Sequence, residues 1–106
     1  IIVPMLKQLR ETKQGAPFVD DEDVPDELKS INALPGKDGD VDSLHFERWD
    51  WILDEMIWTF EQDAMDGGWK EQYYTEKVDR EGIDKHYKRM QNGHRLFGKY
   101  YNSLWD

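Results

Sequence analysis

Arg48-Trp49-Asp50-Trp51-Ile52-Leu53-Asp54-Glu55-Met56-Ile57-Trp58-Thr59-Phe60 is the stretch that decides the fold. Trp49, Ile52, Leu53, Met56, Ile57 and Phe60 recur at i, i+3, i+4, i+7, i+8 and i+11, the spacing of an amphipathic helix. Glu47, Asp50, Asp54 and Glu61 run down the opposite side. Trp51 and Trp58, seven apart, make a second apolar strip with Glu55 between them. The pattern predicts a helix over 43–63 that buries more than half its circumference, with Asp42 or Ser43 available to cap its start.

A second long helix is expected over 81–104, where Ile83, Tyr87, Met90, Phe97, Tyr101 and Leu104 share a face. Gly93 falls on that stripe. A glycine inside a helix costs about 0.5–1 kcal/mol relative to alanine, so its place on the packed face points to close approach of another element. The rival reading makes Asn92-Gly93 a turn that splits the helix, but the stripe keeps its phase across the glycine and favours one helix.

Upstream, Ile2, Met5, Leu6 and Leu9 lie on one face of a helix or helix tail over 1–14. Pro4 fits near its start, and Gly15 is its expected C-cap. Residues 16–42 read as a loop holding one short helix over 25–31. Pro25 opens that helix, and Leu28 and Ile31 pin it to the core. The run Asp20-Asp21-Glu22-Asp23 reads as solvated. Gly67-Gly68 is a break, and 68–80 is either a short β-hairpin or an ordered loop. The fold class expected is therefore all-α. It is a single small helical domain, 1–106, with two long antiparallel helices plus an N-terminal helix.

Composition narrows the functions. The five Trp and five Tyr among 106 residues argue for an ordered core rather than a disordered chain. A net charge of −9 argues against phosphate-backbone binding and against docking on anionic membranes, so neither nucleic acid nor membrane is an expected partner. Without cysteine there is no disulfide, thiol nucleophile or thiolate-bound zinc. The opening Ile1-Ile2-Val3-Pro4-Met5-Leu6 is too short for a signal-peptide core and lacks an initiating Met, which suggests a fragment of a longer chain.

Few groupings could carry chemistry. The first long helix is acidic and the last basic, so antiparallel packing brings Glu55 within reach of Arg89 or Arg95. A carboxylate in an apolar strip needs a partner, and a structural ion pair is the expected outcome rather than a general acid or base. Asp38, Asp40 and Asp42 have the opening spacing of a calcium loop, but Ser43 stands where glycine is needed and Trp49 where the closing Glu belongs. His45, His86 and His94 show no i, i+4 pair, so no catalytic set, metal site or cofactor is expected. Ile2, Met5, Leu9, Trp51 and Trp58 are the candidate interface residues.

Three segments together carry a resemblance. They are Ile2-Val3-Pro4-Met5-Leu6-Lys7 running on to Gly15-Ala16-Pro17-Phe18-Val19-Asp20-Asp21-Glu22-Asp23-Val24-Pro25, then Arg48 to Trp58 as quoted above, then Asn92-Gly93-His94-Arg95-Leu96-Phe97-Gly98-Lys99-Tyr100-Tyr101. In this order they resemble a family of small uncharacterised proteins encoded by tailed bacteriophages, marine ones included. The resemblance implies an origin in environmental DNA and the cytoplasm of an infected bacterial host, with a virion also open. It implies extra residues before Ile1 in longer relatives and an insertion near 68–80. It carries no activity and no site residue.

Three readings of function follow. The first is a non-enzymatic accessory protein that binds another protein or itself. The second is an acidic decoy that mimics DNA charge to block a host protein. The third is a small hydrolase or metal-dependent enzyme using Glu55 and His94.

Overall fold

The computed structural model describes residues 2–12, 16–34, 36 and 42–104. Three α-helices carry it: α1 (Ile2–Thr12), α2 (His45–Ala64) and α3 (Arg80–Lys99). The two long helices and the N-terminal helix make this an all-α protein, with no strand among the described residues.

Helix α2 is the centre because it carries two apolar stripes, one for each neighbour. Trp49, Ile52, Leu53 and Met56 are almost completely buried. Leu6 of α1 and Leu96 of α3 close on them from either side. Burying a side chain of this size contributes roughly 1.5–3 kcal/mol, so this layer supplies most of the cohesion. Ion pairs Lys7–Glu61 and Arg10–Asp54 lie along the α1–α2 seam and set the two helices antiparallel.

The start of α2 is not capped by the side chain of Leu44, the residue preceding it. Instead Asp42 accepts the Leu44 N–H at 3.0 Å, and Ser43 Oγ accepts the N–H of Leu34 at 2.9 Å. At the other end Asp66 (φ 50°) and Gly67 (φ 85°) take left-handed backbone and turn the chain away from the helix.

Two expectations are corrected, and one open alternative is narrowed. The helix expected over 25–31 is two 3₁₀ turns, Asp26–Leu28 and Ser30–Asn32, separated by extended Lys29. Local side chains account for this: Asp21 takes the Ser30 N–H, and the Asn32 amide donates to the Asp26 carbonyl. Ile31, expected to pin the core, is 89 % exposed. The hairpin option for 68–80 reduces to one isolated bridge, Tyr74 with Val78, after a 3₁₀ helix at Gly68–Tyr73.

The last helix ends at Lys99 rather than 104 and tightens into a 3₁₀ turn, Tyr101–Leu104. Its buried stripe is Met90, Gly93, Leu96, Tyr100 and Leu104. Tyr87 and Tyr101, which the periodicity placed on that face, are each about half exposed. Tyr100 displaces Tyr101 because its hydroxyl reaches a buried carboxylate, described next. The expected Gly15 cap and the residues Asp38 and Asp40 lie outside the described residues.

Candidate functional site

Polar side chains gather at the two ends of the α2–α3 pair. At one end Lys99, the last residue of α3, points its ammonium into three carboxylates. Its Nζ lies 2.7 Å from Asp20, 2.6 Å from Asp23 and 3.4 Å from Glu22. The oxygens of these acids sit close enough to hold a metal ion, within 4.8 Å of one another. Lys99 supplies the cation there, and a cation at a helix C-terminus also complements the helix dipole.

Asp23 is the pivot of this cluster. Its side chain is buried, it accepts the Tyr100 hydroxyl at 2.7 Å, and the Arg95 guanidinium lies 2.8 Å from its second oxygen. Burial works to raise the Asp23 carboxyl, but the hydrogen bonds from Lys99, Tyr100 and Arg95 outweigh it and hold the group below its ordinary value. Burial, then the bond to Asp23, pushes the Tyr100 phenol up to about 12. The bonds to Asp20 and Asp23 raise the Lys99 ammonium. Reading 20–23 as a solvated acidic run is thus wrong at Asp23. Three cationic or hydroxyl donors downstream were the missing signal, and they lie more than seventy residues away in sequence.

The same end is clasped by Arg48, a buried arginine on the first turn of α2. Its fork meets both Asp42 oxygens at 2.8 Å, and its Nε donates to the Leu28 carbonyl at 2.5 Å. The Arg48 bond holds the Asp42 carboxyl below its ordinary value. Asp42, a candidate calcium ligand by spacing, is therefore engaged by a cation of its own chain. His45 is buried beside it, with Nε2 2.9 Å from the Ala16 carbonyl.

At the other end the groups are aromatic. His86 of α3 stacks flat on Trp69, ring centres 4.2 Å apart and planes 6° apart, with Trp58 at 4.9 Å. Its Nδ1 lies 2.9 Å from the Tyr73 hydroxyl and its Nε2 2.9 Å from Gln62 Oε1. Burial, helped by the charge of Arg89, lowers the His86 pKa and favours the neutral ring. Arg89 lies 3.8 Å above the Trp58 ring and clasps Glu55 with two hydrogen bonds, 3.0 and 2.6 Å. That bond raises the Arg89 guanidinium. Arg95, the other candidate partner of Glu55, goes to Asp23 instead.

Between the two ends Gly93 meets Thr59. A Cβ on Gly93 would fall 2.6 Å from Thr59 Cβ and 2.9 Å from its Cγ2, closer than real side chains approach. His94 pairs with Asp63 at 2.6 Å, two turns beyond Glu55 on α2 with Thr59 between them. The structure thus gives Glu55 and His94 separate partners. Ile2, Met5, Leu9 and Trp51 are half-buried against the core, and Trp58 is half-buried under Arg89.

Beside the aromatic end, a cleft of about 440 Å³ opens between the 3₁₀ helix Gly68–Tyr73 and the first two turns of α3. Trp69, Lys70, Arg80, Ile83, Asp84 and Tyr87 line it. Sequence reasoning missed it because 68–80 shows no clean periodicity, although Arg80, Ile83, Asp84 and Tyr87 do share a helix face by their spacing.

Fold and site together define a small all-α protein whose titratable groups are mostly held by one another. No protein-family model, no curated protein and no solved structure matches the chain. No helix among the described residues is long and apolar enough to cross a membrane.

Proposed function

We propose that this is a non-enzymatic protein that acts by binding another protein, in keeping with the phage accessory role and host cytoplasm that the sequence resemblance implies. The observation that carries the reading is an apolar surface around the start of α2. Phe18, Ile31 and Leu34 are exposed by 82, 89 and 75 %, and Phe46 beside them by about half. Phe18, Phe46 and Leu34 belong to one neighbourhood: Phe18 and Phe46 both set their rings edge-on to His45 at 5.3 Å, Leu34 is bonded to Ser43, and Ile31 comes three residues before Leu34 in the chain. Large apolar side chains grouped in this way mark contact surfaces more often than solvent-facing decoration.

The chemistry of the interior supports the same reading. Glu55, His86 and His94, the groups best suited to acid–base work, are each tied to a neighbour, and Glu55 and His94 serve different partners. The decoy reading draws less support. Asp54 and Glu61, the outward acids of α2, answer to Arg10 and Lys7 of α1 rather than standing as an unpaired row.

The test is capture from extracts of phage-infected bacteria with three baits: the wild type, the triple variant Phe18→Ser/Ile31→Ser/Leu34→Ser, and Tyr87→Ala. A prey held by the wild type and Tyr87→Ala but lost by the triple variant is the expected result. Light scattering run alongside reads self-association through the same surface. A wild type that stays monomeric at high micromolar concentration, with no prey that depends on the three residues, defeats the reading.

A further inference from the structure

We infer that the cleft between the 3₁₀ helix Gly68–Tyr73 and the start of α3 binds a small aromatic phosphate monoester, of nucleoside-monophosphate size. This goes beyond the protein-binding role and rests on different residues.

The first ground is the distribution of charge. In a chain of net charge −9 a cation finds a carboxylate easily, and eight of the lysines and arginines among the described residues do. Among the described residues, Lys70, Lys77, Arg80 and Lys85 pair with no carboxylate, and all four fall between 70 and 85. Lys70 and Arg80 line the cleft. Asp84, the one acid among the described residues of its wall, is held by Lys88 at 2.9 Å and so does not cancel them. The lining of the cleft thus offers two cations against one acid that is already paired.

The second ground is the wall itself. Trp69, Ile83 and Tyr87 make it largely apolar, and its volume falls in the range that encloses small ligands, roughly 300–1,000 Å³. Trp69 is fixed in place by its flat stack on His86, which Tyr73 and Gln62 hold at both ring nitrogens. A wall held this way loses little freedom when a ligand arrives. Tyr87 is half exposed beside it and offers a ring edge or face.

The ligand chemistry follows from both. A phosphate monoester carries about −1.5 to −2 charges near neutral pH, which matches two cations better than a single carboxylate does. The Arg80 guanidinium can take two of its oxygens as a fork, and Lys70, whose Nζ lies 5.6 Å over the Trp69 ring, can take a third. An aromatic body then lies against Ile83 and Tyr87.

Calorimetric titration with AMP, phenyl phosphate, adenosine and inorganic phosphate tests this at low and at raised salt. The expected result is saturable, salt-weakened binding of AMP or phenyl phosphate, about tenfold tighter than adenosine or phosphate alone. Lys70→Ala and Arg80→Ala should each weaken it about tenfold, with circular dichroism unchanged because both side chains are exposed. Lys85→Ala removes the same charge outside the cleft and should change affinity by less than about twofold. Absence of saturation by both AMP and phenyl phosphate up to about 10 mM overturns the proposal. An equal loss from Lys85→Ala, or phosphate binding as tightly as AMP, also overturns it.

Discussion

The two ends of the α2–α3 pair are closed by opposite means. Where α3 finishes, the strap of residues 16–34 is tied down by charge: Lys99, Arg95 and Tyr100 converge on buried Asp23, and Arg48 grips Asp42 and the Leu28 carbonyl. Where α3 begins, closure is by rings, with Trp69, His86 and Trp58 stacked and Glu55–Arg89 laid over the edge. The comparison teaches that cations spent on the strap are unavailable elsewhere, whereas an end closed by rings leaves Lys70 and Arg80 uncommitted. The ionic end is therefore the structural one. The aromatic end keeps surface open to a ligand.

The largest effect is expected from breaking the ionic end at its pivot. Asp23→Ala leaves Tyr100, Lys99 and Arg95 without their shared acceptor. The cost should be about 3 kcal/mol, the low end for a broken buried pair, because Lys99 and Arg95 keep access to water. Urea denaturation measures it. Hydrogen exchange should show the strap opening while amides around His86 stay protected. Uniform loss of protection at both ends would show that the two closures are not separable.

Next comes the seam that both ends share. Gly93→Ala drives a methyl into Thr59, and overpacking of this kind costs roughly 1–3 kcal/mol, partly offset by the better helix propensity of alanine, for a net of about 2 kcal/mol. The buried Thr59 hydroxyl has no hydrogen-bond partner among the described residues, so Thr59→Ala alone should cost little. Thr59→Ala added to Gly93→Ala should recover part of the loss, since it removes Oγ1 and Cγ2 but leaves the Thr59 Cβ 2.6 Å from the new methyl, a coupling read directly by a double-mutant cycle. Additive losses would mean that the helices do not meet at this pair.

These two sites differ in how far the sequence disclosed them. Gly93 was legible because its stripe runs continuously from Met90 to Leu104, so a glycine in phase with it had to face a neighbour. Glu55 and Arg89 were legible as a pair because Glu55 sits in an apolar strip of an acidic helix and needs a cation, and Arg89 lies on the other long helix, which is basic. Asp23 was not. Its burial depends on where a strap with no periodicity crosses the end of a helix, and four acids in a row look solvated unless the crossing is known. The cleft was hidden for the same reason, since one wall is a 3₁₀ helix whose residues follow no apolar repeat. The choice of Tyr100 over Tyr101 was decided by a hydrogen bond, which hydrophobic spacing cannot register.

The smallest effects, of order 1 kcal/mol, come from titration, and they separate the two ends by pH. His86 has a folded pKa below its ordinary 6.5, so its end is stabilised above that pH, and the contribution is lost as pH falls from 6.5 through the folded value. Asp23 and Asp42 have folded values below 3.8, so the ionic end keeps its stability until the pH falls below about 4. On the alkaline side the signs reverse. Tyr100 is raised from 10.0 to about 12, and Lys99 is raised too, so their contribution is whole below pH 10 and is lost as pH climbs through those folded values. Mild acid should therefore loosen the aromatic end first, and strong base the ionic end. Tyr100→Phe should cost about 1 kcal/mol at neutral pH and lessen the loss between pH 10 and 12, because one of the two groups that titrate there is gone while Lys99 stays. Exchange rates followed by NMR at pH 5.5, 7 and 10.5 distinguish the ends. If the strap opened before the His86 region at pH 5.5, charge would not be what holds it.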